Sequence, residues 1–214
     1  RLKEEMDAVL EAVEKGELPE EEINAKCRKV LTYKYILGLE RKPFVKLSGL
    51  GTRINTPQTR DLISRLNLAA ITVLNNKNDV LPLHPDLKEA AILNVGKPEE
   101  IEPFDRKMKK YTSFARFQLR KDLPEAEQQK LRDSLAAYRR VIVTVTEQRL
   151  APYQSFFAKF APESPVIYVF YTPAKSMLQI QRAVSAAEAV VLAHASRDDV
   201  QERVADLLFG KATA

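Results

Sequence analysis

The sequence predicts an α/β fold in which helices cover both faces of a mostly parallel sheet. Short runs of continuous apolar and β-branched residues recur through the second two-thirds of the chain, as in VIVTVT at residues 141–146. A single helical pattern separates each run from the next. Strands that are apolar on both faces and joined by single helices are typical of parallel sheets with right-handed crossovers.

The first 38 residues have the pattern of two helices. Apolar residues of the first share one face, and Gly16 ends it, while Pro19 followed by three glutamates suits the first turn of the second. Cys27 lies on the apolar stripe of the second helix, so we expect a buried small side chain rather than a nucleophile. Because isolated helices of this length are marginal in water, the stripe must face the rest of the chain or another domain.

Residues 40–60 show no periodicity and contain Pro43, Gly49, Gly51 and Pro57, which predicts an extended linker. From Asp61 a helix is predicted, because apolar residues recur at three- and four-residue steps as far as Leu74. The cluster at 75–79 predicts a turn, since Asn and Asp side chains bond their own backbone. Residues 80–83 form a short apolar entry to the next unit.

Strands and helices alternate beyond this entry. The predicted strands are residues 90–95, 114–119, 141–146, 165–171 and 189–193. A basic helix is predicted after the first strand, and further helices at residues 124–138, 152–160, 176–184 and 198–209.

Composition argues against several classes of protein. The 34 basic and 29 acidic residues are dispersed and lack aromatic interleaving, so a solvated helix face explains the basic stretch at 105–110 better than nucleic-acid binding. No apolar run is long enough to cross a bilayer. One cysteine and two histidines, His84 and His194, offer no disulfide and no metal-ligand spacing, so we expect no metal and no cofactor. The chain opens at Arg1 inside an amphipathic pattern, as a piece of a longer polypeptide would.

Candidate site residues follow the strands, because ligands gather at the carboxyl ends of parallel sheets. They are Thr146, Glu147 and Gln148, then Thr172 and Pro173, then residues 194–199. Glu147 stands at the correct edge for acid/base chemistry, although a solvated glutamate is the commoner case. Ser196 with Asp199 fits a cap on the last helix. Since no GxGxxG, GxxxxGK[ST] or GxSxG motif occurs, the sheet is predicted to be a scaffold rather than a reaction centre.

Four segments resemble family 3 glycoside hydrolases. Residues 66–83, LNLAAITVLNNKNDVLPL, are similar to the start of that family's C-terminal domain, where a helix gives way to a polar turn and a Leu-Pro-Leu entry. Residues 88–95, KEAAILNV, look like its first strand, and residues 204–211, VADLLFGK, resemble its closing helix. Residues 13–39 are similar to the tail of the family's catalytic barrel.

The resemblance implies an organisation and a place for the catalytic residues. Residues 1–39 would be the terminal helices of a truncated barrel, 40–60 a linker and 61–214 the α/β sandwich C-terminal domain. Retaining glycosidases need a carboxylate nucleophile and an acid/base. In this family the nucleophilic Asp lies on the barrel, upstream of Arg1, as does the His–Asp acid/base pair of the β-N-acetylglucosaminidase branch. The β-glucosidase branch takes a Glu from the C-terminal domain, near an "E-G-x-D" stretch, where this chain reads YTPA at 171–174.

The implied function is that of a non-catalytic C-terminal domain, inactive alone, without catalytic residues of its own. Its parent would remove terminal β-linked N-acetylglucosamine or related sugars with retention, with the barrel of the same polypeptide as partner. Substrate-binding residues stay unassigned, and periplasmic export or secretion rests on analogy alone. The alternative is a stand-alone sugar-binding module using Thr146, Thr172 and His194. A response-regulator or nucleotide-binding domain is disfavoured, because NVGKP at 94–98 supplies neither acidic residues nor a glycine-rich loop.

Overall fold

The computed structural model describes residues 2–41, 46–84, 87, 89–121, 123–160 and 166–212. These residues form two compact units, Arg1–Asn55 and Thr56–Ala214. Pro43 of the predicted linker, Lys88 of the KEAAILNV segment and Pro165 of a predicted strand lie outside the described residues. Within the described ranges, every helix is too short or too polar to cross a membrane.

The first unit contains the two predicted helices, α1 (Leu2–Glu14) and α2 (Glu20–Ile36). The extended conformation expected for the following segment is wrong at α3 (Leu50–Ile54), a short helix. The expected burial of Cys27 is also wrong, since its side chain is exposed. Val30 and Leu31 on the same helix are 53% and 56% exposed, because the described part of this unit sets no second apolar surface against them.

The second unit confirms the α/β fold with a mostly parallel sheet. Its strands are β1 (Thr72–Asn76), β2 (Ala90–Val95), β3 (Ala115–Leu119), β4 (Arg140–Val145), β5 (Val166–Phe170) and β6 (Ala189–Leu192). Its helices are α4 (Pro57–Ala69), α5 (Glu102–Met108), α6 (Glu125–Ala136), α7 (Gln154–Lys159), α8 (Lys175–Leu178), α9 (Gln181–Ala186) and α10 (Asp198–Leu208).

The strand order is β1-β6-β5-β4-β2-β3, and only β1 runs antiparallel to its neighbour. The crossover from β2 to β3 covers one face of the sheet, and the crossover from β3 back to β4 covers the opposite face. The boundary between β2 and β4 is therefore the topological switch point, where doubly wound sheets usually hold ligands.

Two helix predictions are wrong in extent. The helix expected from Asp61 to Leu74 begins earlier, where the Thr56 hydroxyl accepts a hydrogen bond from Thr59 N at 3.1 Å, and it ends at Ala69. Residues 72–76 instead pair with β6, because β-branched Thr72 and Val73 suit a strand and find backbone partners there. The helix expected at 176–184 is interrupted at Ile180, whose non-helical backbone directs its side chain into the core.

Alternate residues of the strands build two core layers. One layer packs Ile92, Ile142 and Ile167 beneath α5 and α10, with Phe104 and Leu208 among the helical residues. The other places Leu93, Val143 and Tyr168 against α6, α7 and α9. Every residue of β2, β5 and β6 is buried, which explains why these segments show no polar alternation in the sequence.

The polar turn after β1 leads into a segment that contacts the last helix, so the beginning and the end of the second unit pack together. The turn predicted at 75–79 is confirmed for Lys77–Asp79, a short 3-10 turn with Asn78 in the left-handed region, whereas residues 75 and 76 belong to β1. The Asn76 side chain accepts from Leu81 N and donates to Leu81 O, both at 2.9 Å. Leu83 N then donates to Leu208 O of α10 at 2.6 Å. The segments 66–83 and 204–211, far apart in sequence, thus pack against each other.

Replacing Gly210 by Ala should destabilise the second unit by about 2 kcal/mol. Gly210 ends α10 at φ +65°, and its N–H bonds Leu207 O at 3.0 Å while Lys211 N bonds Asp206 O at 2.8 Å. A Cβ there would lie 2.9 Å from Pro82 Cβ, adding a steric clash to the left-handed strain. Urea unfolding measures the change, with exposed Lys211→Ala as the neutral control, and an unchanged midpoint for Gly210→Ala would contradict it.

Candidate functional site

The candidate site is the carboxyl edge of the parallel strands, where β2, β4, β5 and β6 end side by side. Backbone pairing continues one residue beyond the strands: Thr146 N donates to Val95 O at 3.0 Å, and Tyr171 N donates to Val145 O at 2.9 Å. Ala193 N donates to Phe170 O at 2.8 Å. Thr146, Thr172 and His194 therefore follow neighbouring strands along one edge, as the sequence predicts.

The switch point between β2 and β4 is closed by side chains of the chain itself. Gly96 has φ +138°, and a Cβ at this position would lie 1.9 Å from Thr146 Oγ1. The Gln118 amide donates to Gly96 O at 2.6 Å from the other side. A ligand at the usual crevice of a doubly wound sheet would have to displace these contacts.

A row of polar side chains crosses three strands beside this closure. Asn94, which is 4% exposed, donates through Nδ2 to Gln118 Oε1 at 2.9 Å and accepts from Thr144 Oγ1 at 3.2 Å. The three residues occupy the same register position on β3, β2 and β4. Sequence reasoning missed this row, although an Asn within the apolar run AAILNV was the signal. The mutual bonds satisfy amides that would otherwise be buried without partners.

Glu147 belongs to a loop that is folded on itself. Its carboxylate accepts from Arg149 N at 3.1 Å. The loop is fixed by Gln179, whose Oε1 accepts from Leu150 N and whose Nε2 donates to Gln148 O, both at 2.8 Å. Sequence reasoning also missed Gln179. Its side-chain amide bonds the backbone N–H and C=O groups of this loop and so holds Glu147 at the edge of the sheet.

The predicted cap formed by Ser196 and Asp199 is wrong. The residue preceding α10 is Arg197, which makes no side-chain cap, and Ser196 Oγ donates instead to Glu100 O at 3.1 Å in the loop after β2. Asp199 accepts from Ser64 Oγ of α4 at 2.5 Å. Ser196 and Asp199 therefore bond residues of other elements instead of capping the helix together. His194, exposed at φ +63°, precedes this segment.

Asp199→Asn should make stability less dependent on pH in the acid range. Burial raises the pKa of Asp199, but hydrogen bonds from Ser64 and Arg197 and the Arg197 charge outweigh it, so the net pKa is lowered. A lowered folded pKa means stability that is present above the unfolded value near 4 and lost as pH falls through the folded value. The wild type should exceed the variant by about 1 kcal/mol at pH 7.

Urea midpoints between pH 2.5 and 7 measure that difference. The exposed Asp198→Asn on the same helix is the matched control and should show a smaller pH-dependent difference. A difference between wild type and Asp199→Asn that persists unchanged to pH 2.5 would exclude the ionised carboxylate as its source.

Two of the four basic residues in the stretch at 105–110, Arg106 and Lys107, are paired with carboxylates. Lys107 Nζ lies 3.0 Å from Asp206, and Arg106 lies 3.3 Å from Glu202, both on α10. Arg116 Nε on β3 lies 2.8 Å from Asp105 Oδ2 on α5. These pairs tie α5 and β3 together and α5 to α10. Across the described ranges no cluster of three or more His, Cys, Asp or Glu residues could hold a metal ion.

Three solved enzyme structures are similar to this chain at low sequence identity. The beta-glucoside phosphorylase BglX matches 97% of this chain with a TM-score of 0.63 at 18% identity. A glycoside hydrolase family 3 beta-N-acetylglucosaminidase from Paenibacillus sp. str. FPU-7 matches 97% with a TM-score of 0.57 at 18% identity. A beta-glucosidase from Listeria innocua matches 95% with a TM-score of 0.57 at 16% identity. No protein-family model and no curated protein matches the sequence.

This chain spans a minor part of each of those structures. It covers 40% of the phosphorylase, 41% of the Paenibacillus enzyme and 33% of the Listeria enzyme. At these identities the similarity establishes the fold, which is that of one region of larger enzymes.

Proposed function

We propose that the chain is the C-terminal region of a family 3 glycoside hydrolase, with residues 1–39 from the end of its barrel, 40–60 a linker and 61–214 a non-catalytic domain. The parent would remove terminal β-linked N-acetylglucosamine or a related sugar with retention. One observation carries the proposal: residues 66–83 and 204–211, which resemble the opening and closing motifs of that domain, meet through Leu83 N and Leu208 O.

Three further observations support a scaffold role for the α/β domain. The Gly96–Thr146 contact and the Gln118 amide close the switch point. The carboxylate of Glu147 is bonded within its own loop. Asp199 is engaged by Ser64 and Arg197. Retaining hydrolysis needs two carboxyl groups about 5 Å apart or an equivalent pair, which the proposal places on the barrel.

The exposed apolar residues of the first unit also fit the proposal. Leu2, Met6 and Leu10 of α1 are exposed, as are Val30 and Leu31 of α2. Large apolar side chains repeated along helices are normally covered, and covering one fully is worth about 1.5–3 kcal/mol. The remainder of a barrel would supply the missing surface.

The test compares this chain with the polypeptide encoded by the complete gene, using nitrophenyl β-N-acetylglucosaminide as substrate. We expect turnover by the complete polypeptide and none by residues 1–214. In the complete polypeptide, Glu147→Gln and His194→Ala should each leave kcat within about threefold, because neither residue is assigned a catalytic role. A loss of 100-fold or more in either variant would place the acid/base in this domain and contradict the proposal.

The alternative of a stand-alone sugar-binding module has a separate outcome. N-acetylglucosamine added to residues 1–214 would then raise the melting temperature in proportion to the logarithm of its concentration. A rise of this form that is abolished by Thr172→Val, together with a complete gene that encodes no barrel, would favour that alternative.

A further inference from the structure

The sheet face beneath α5 becomes polar towards its carboxyl end. In one register row Arg116 lies beside Ile92, Ile142 and Ile167. In the next row on this face Gln118, Asn94 and Thr144 lie side by side. The following positions, just beyond the strands, are Gly96, Thr146 and Tyr171. The corner of this layer nearest β3 and β4 is therefore built from hydrogen-bonding side chains rather than from aliphatic ones.

Three buried oxygen atoms in this region lack a hydrogen-bond partner among the described residues. They are Asp105 Oδ1 on α5, Thr146 Oγ1 after β4 and Tyr171 Oη after β5. Tyr171 is only 3% exposed, so bulk solvent does not reach it freely. A buried polar group left unbonded destabilises the folded state, and native proteins contain few of them.

The contacts of Phe104 and Arg116 locate Asp105 in this corner. The rings of Phe104 and Tyr171 meet edge to face, with centroids 6.1 Å apart, so α5 lies over the end of β5. Asp105 is the next residue of α5, and its Oδ2 accepts from Arg116 Nε at 2.8 Å. Burial and the charge of Asp105 raise the pKa of Tyr171 well above its usual value, so its hydroxyl keeps the proton and can donate.

We propose that an ordered water molecule binds between α5 and the sheet, held by Asp105 Oδ1, Tyr171 Oη and Thr146 Oγ1. Water supplies two donors and two acceptors, so it can donate to the carboxylate and accept from the tyrosine while also bonding the threonine hydroxyl. A metal cation fits less well, because the Arg116 guanidinium already balances the charge of Asp105, which is the only carboxylate among these three groups. The water would connect α5 to the ends of β4 and β5, independently of the proposed function.

A crystal structure of the complete chain at about 1.5 Å resolution tests the site directly. We expect one density peak within about 2.6–3.2 Å of at least two of the three oxygen atoms. No peak, or a peak bonded to only one of them, would overturn the proposal. Contacts of about 2.3–2.6 Å to several oxygens would identify a hard cation and overturn it as well.

The substitution Tyr171→Phe provides a second test through the sign of its effect. If water bonds the hydroxyl, its removal should raise the unfolding equilibrium constant about 5- to 10-fold. If the hydroxyl is unbonded, removal should leave that constant unchanged or lower it, which would contradict the proposal. Tyr138→Phe, which removes a hydroxyl from a half-buried ring packed on Phe117, is the matched control and should change the constant less than twofold.

Discussion

Asn94→Asp should lower the stability of the second unit by about 3–5 kcal/mol at pH 7, the largest effect we expect from any single change. Asn94 is nearly inaccessible in the middle of the polar row, where its amide nitrogen donates to Gln118 Oε1. An ionised carboxylate cannot donate that bond, and it would face the oxygen of Gln118 without a cation bonded to it. Gln118 Oε1 would also lose the amide N–H that donates to it.

The pH dependence of this variant identifies the cause. Burial should raise the folded pKa of the new carboxyl above its unfolded value near 4. The deficit should therefore grow as pH rises from about 4 towards the folded pKa and shrink in acid, where the protonated carboxyl can again donate to Gln118. Chemical unfolding from pH 4 to 8 measures it. Gln148→Glu, the equivalent change at an exposed site, is the control. A stability deficit of Asn94→Asp that is the same at pH 4 and at pH 8 would contradict this explanation.

Gly96→Ala should cost about 3 kcal/mol or more, because the new Cβ would overlap Thr146 Oγ1 at 1.9 Å and approach Glu147 N at 3.2 Å. The backbone at φ +138° adds strain that an L residue rarely accepts. Adding Thr146→Ala should recover part of the loss, because the shortest contact is with Oγ1, while the backbone strain and the 3.2 Å contacts with Glu147 N and with Cβ of residue 146 remain.

A double-mutant cycle measures this coupling by comparing the two single variants with the pair. We expect an interaction energy of about 1–2 kcal/mol in the recovering direction. Thr146→Ala alone serves as the control. Additive effects of the two changes would show that Thr146 does not limit the approach at Gly96, and a stable Gly96→Ala variant would contradict the described geometry.

The fold could be predicted from sequence because buried parallel strands carry a strong local signal. The segments around Ile92, Val143 and Val169 are apolar on both faces, so their continuous hydrophobic character identified them as strands in a covered sheet. The α4–β1 boundary could not be predicted in this way. Val73 and Leu74 continue the helical spacing of Leu66, but pairing with β6 decides their conformation, and that partner lies about 120 residues away.

The chemistry at the edge of the sheet was only partly accessible from sequence. Strand ends predicted where Thr146, Glu147 and Thr172 would lie. The amide partners could not be found, because Gln118, Asn94 and Gln179 come from separate elements and become neighbours only when the strands align. Ser196 and Asp199 had the spacing of a local cap, yet Glu100 and Ser64 bond them instead. Local motifs were overridden where tertiary partners offered better geometry.

The pairing of β1 with β6 and of Leu83 with Leu208 also constrains when the second unit can fold relative to its synthesis. A ribosome must release almost the entire second unit before its first strand can acquire its permanent neighbour. Closing so long a loop is entropically costly and slow, and the apolar strands remain uncovered in the meantime. This unit can therefore be completed only after Ala189–Leu192 and Asp198–Leu208 have left the ribosome, and holdase chaperones have their greatest opportunity to bind before that point.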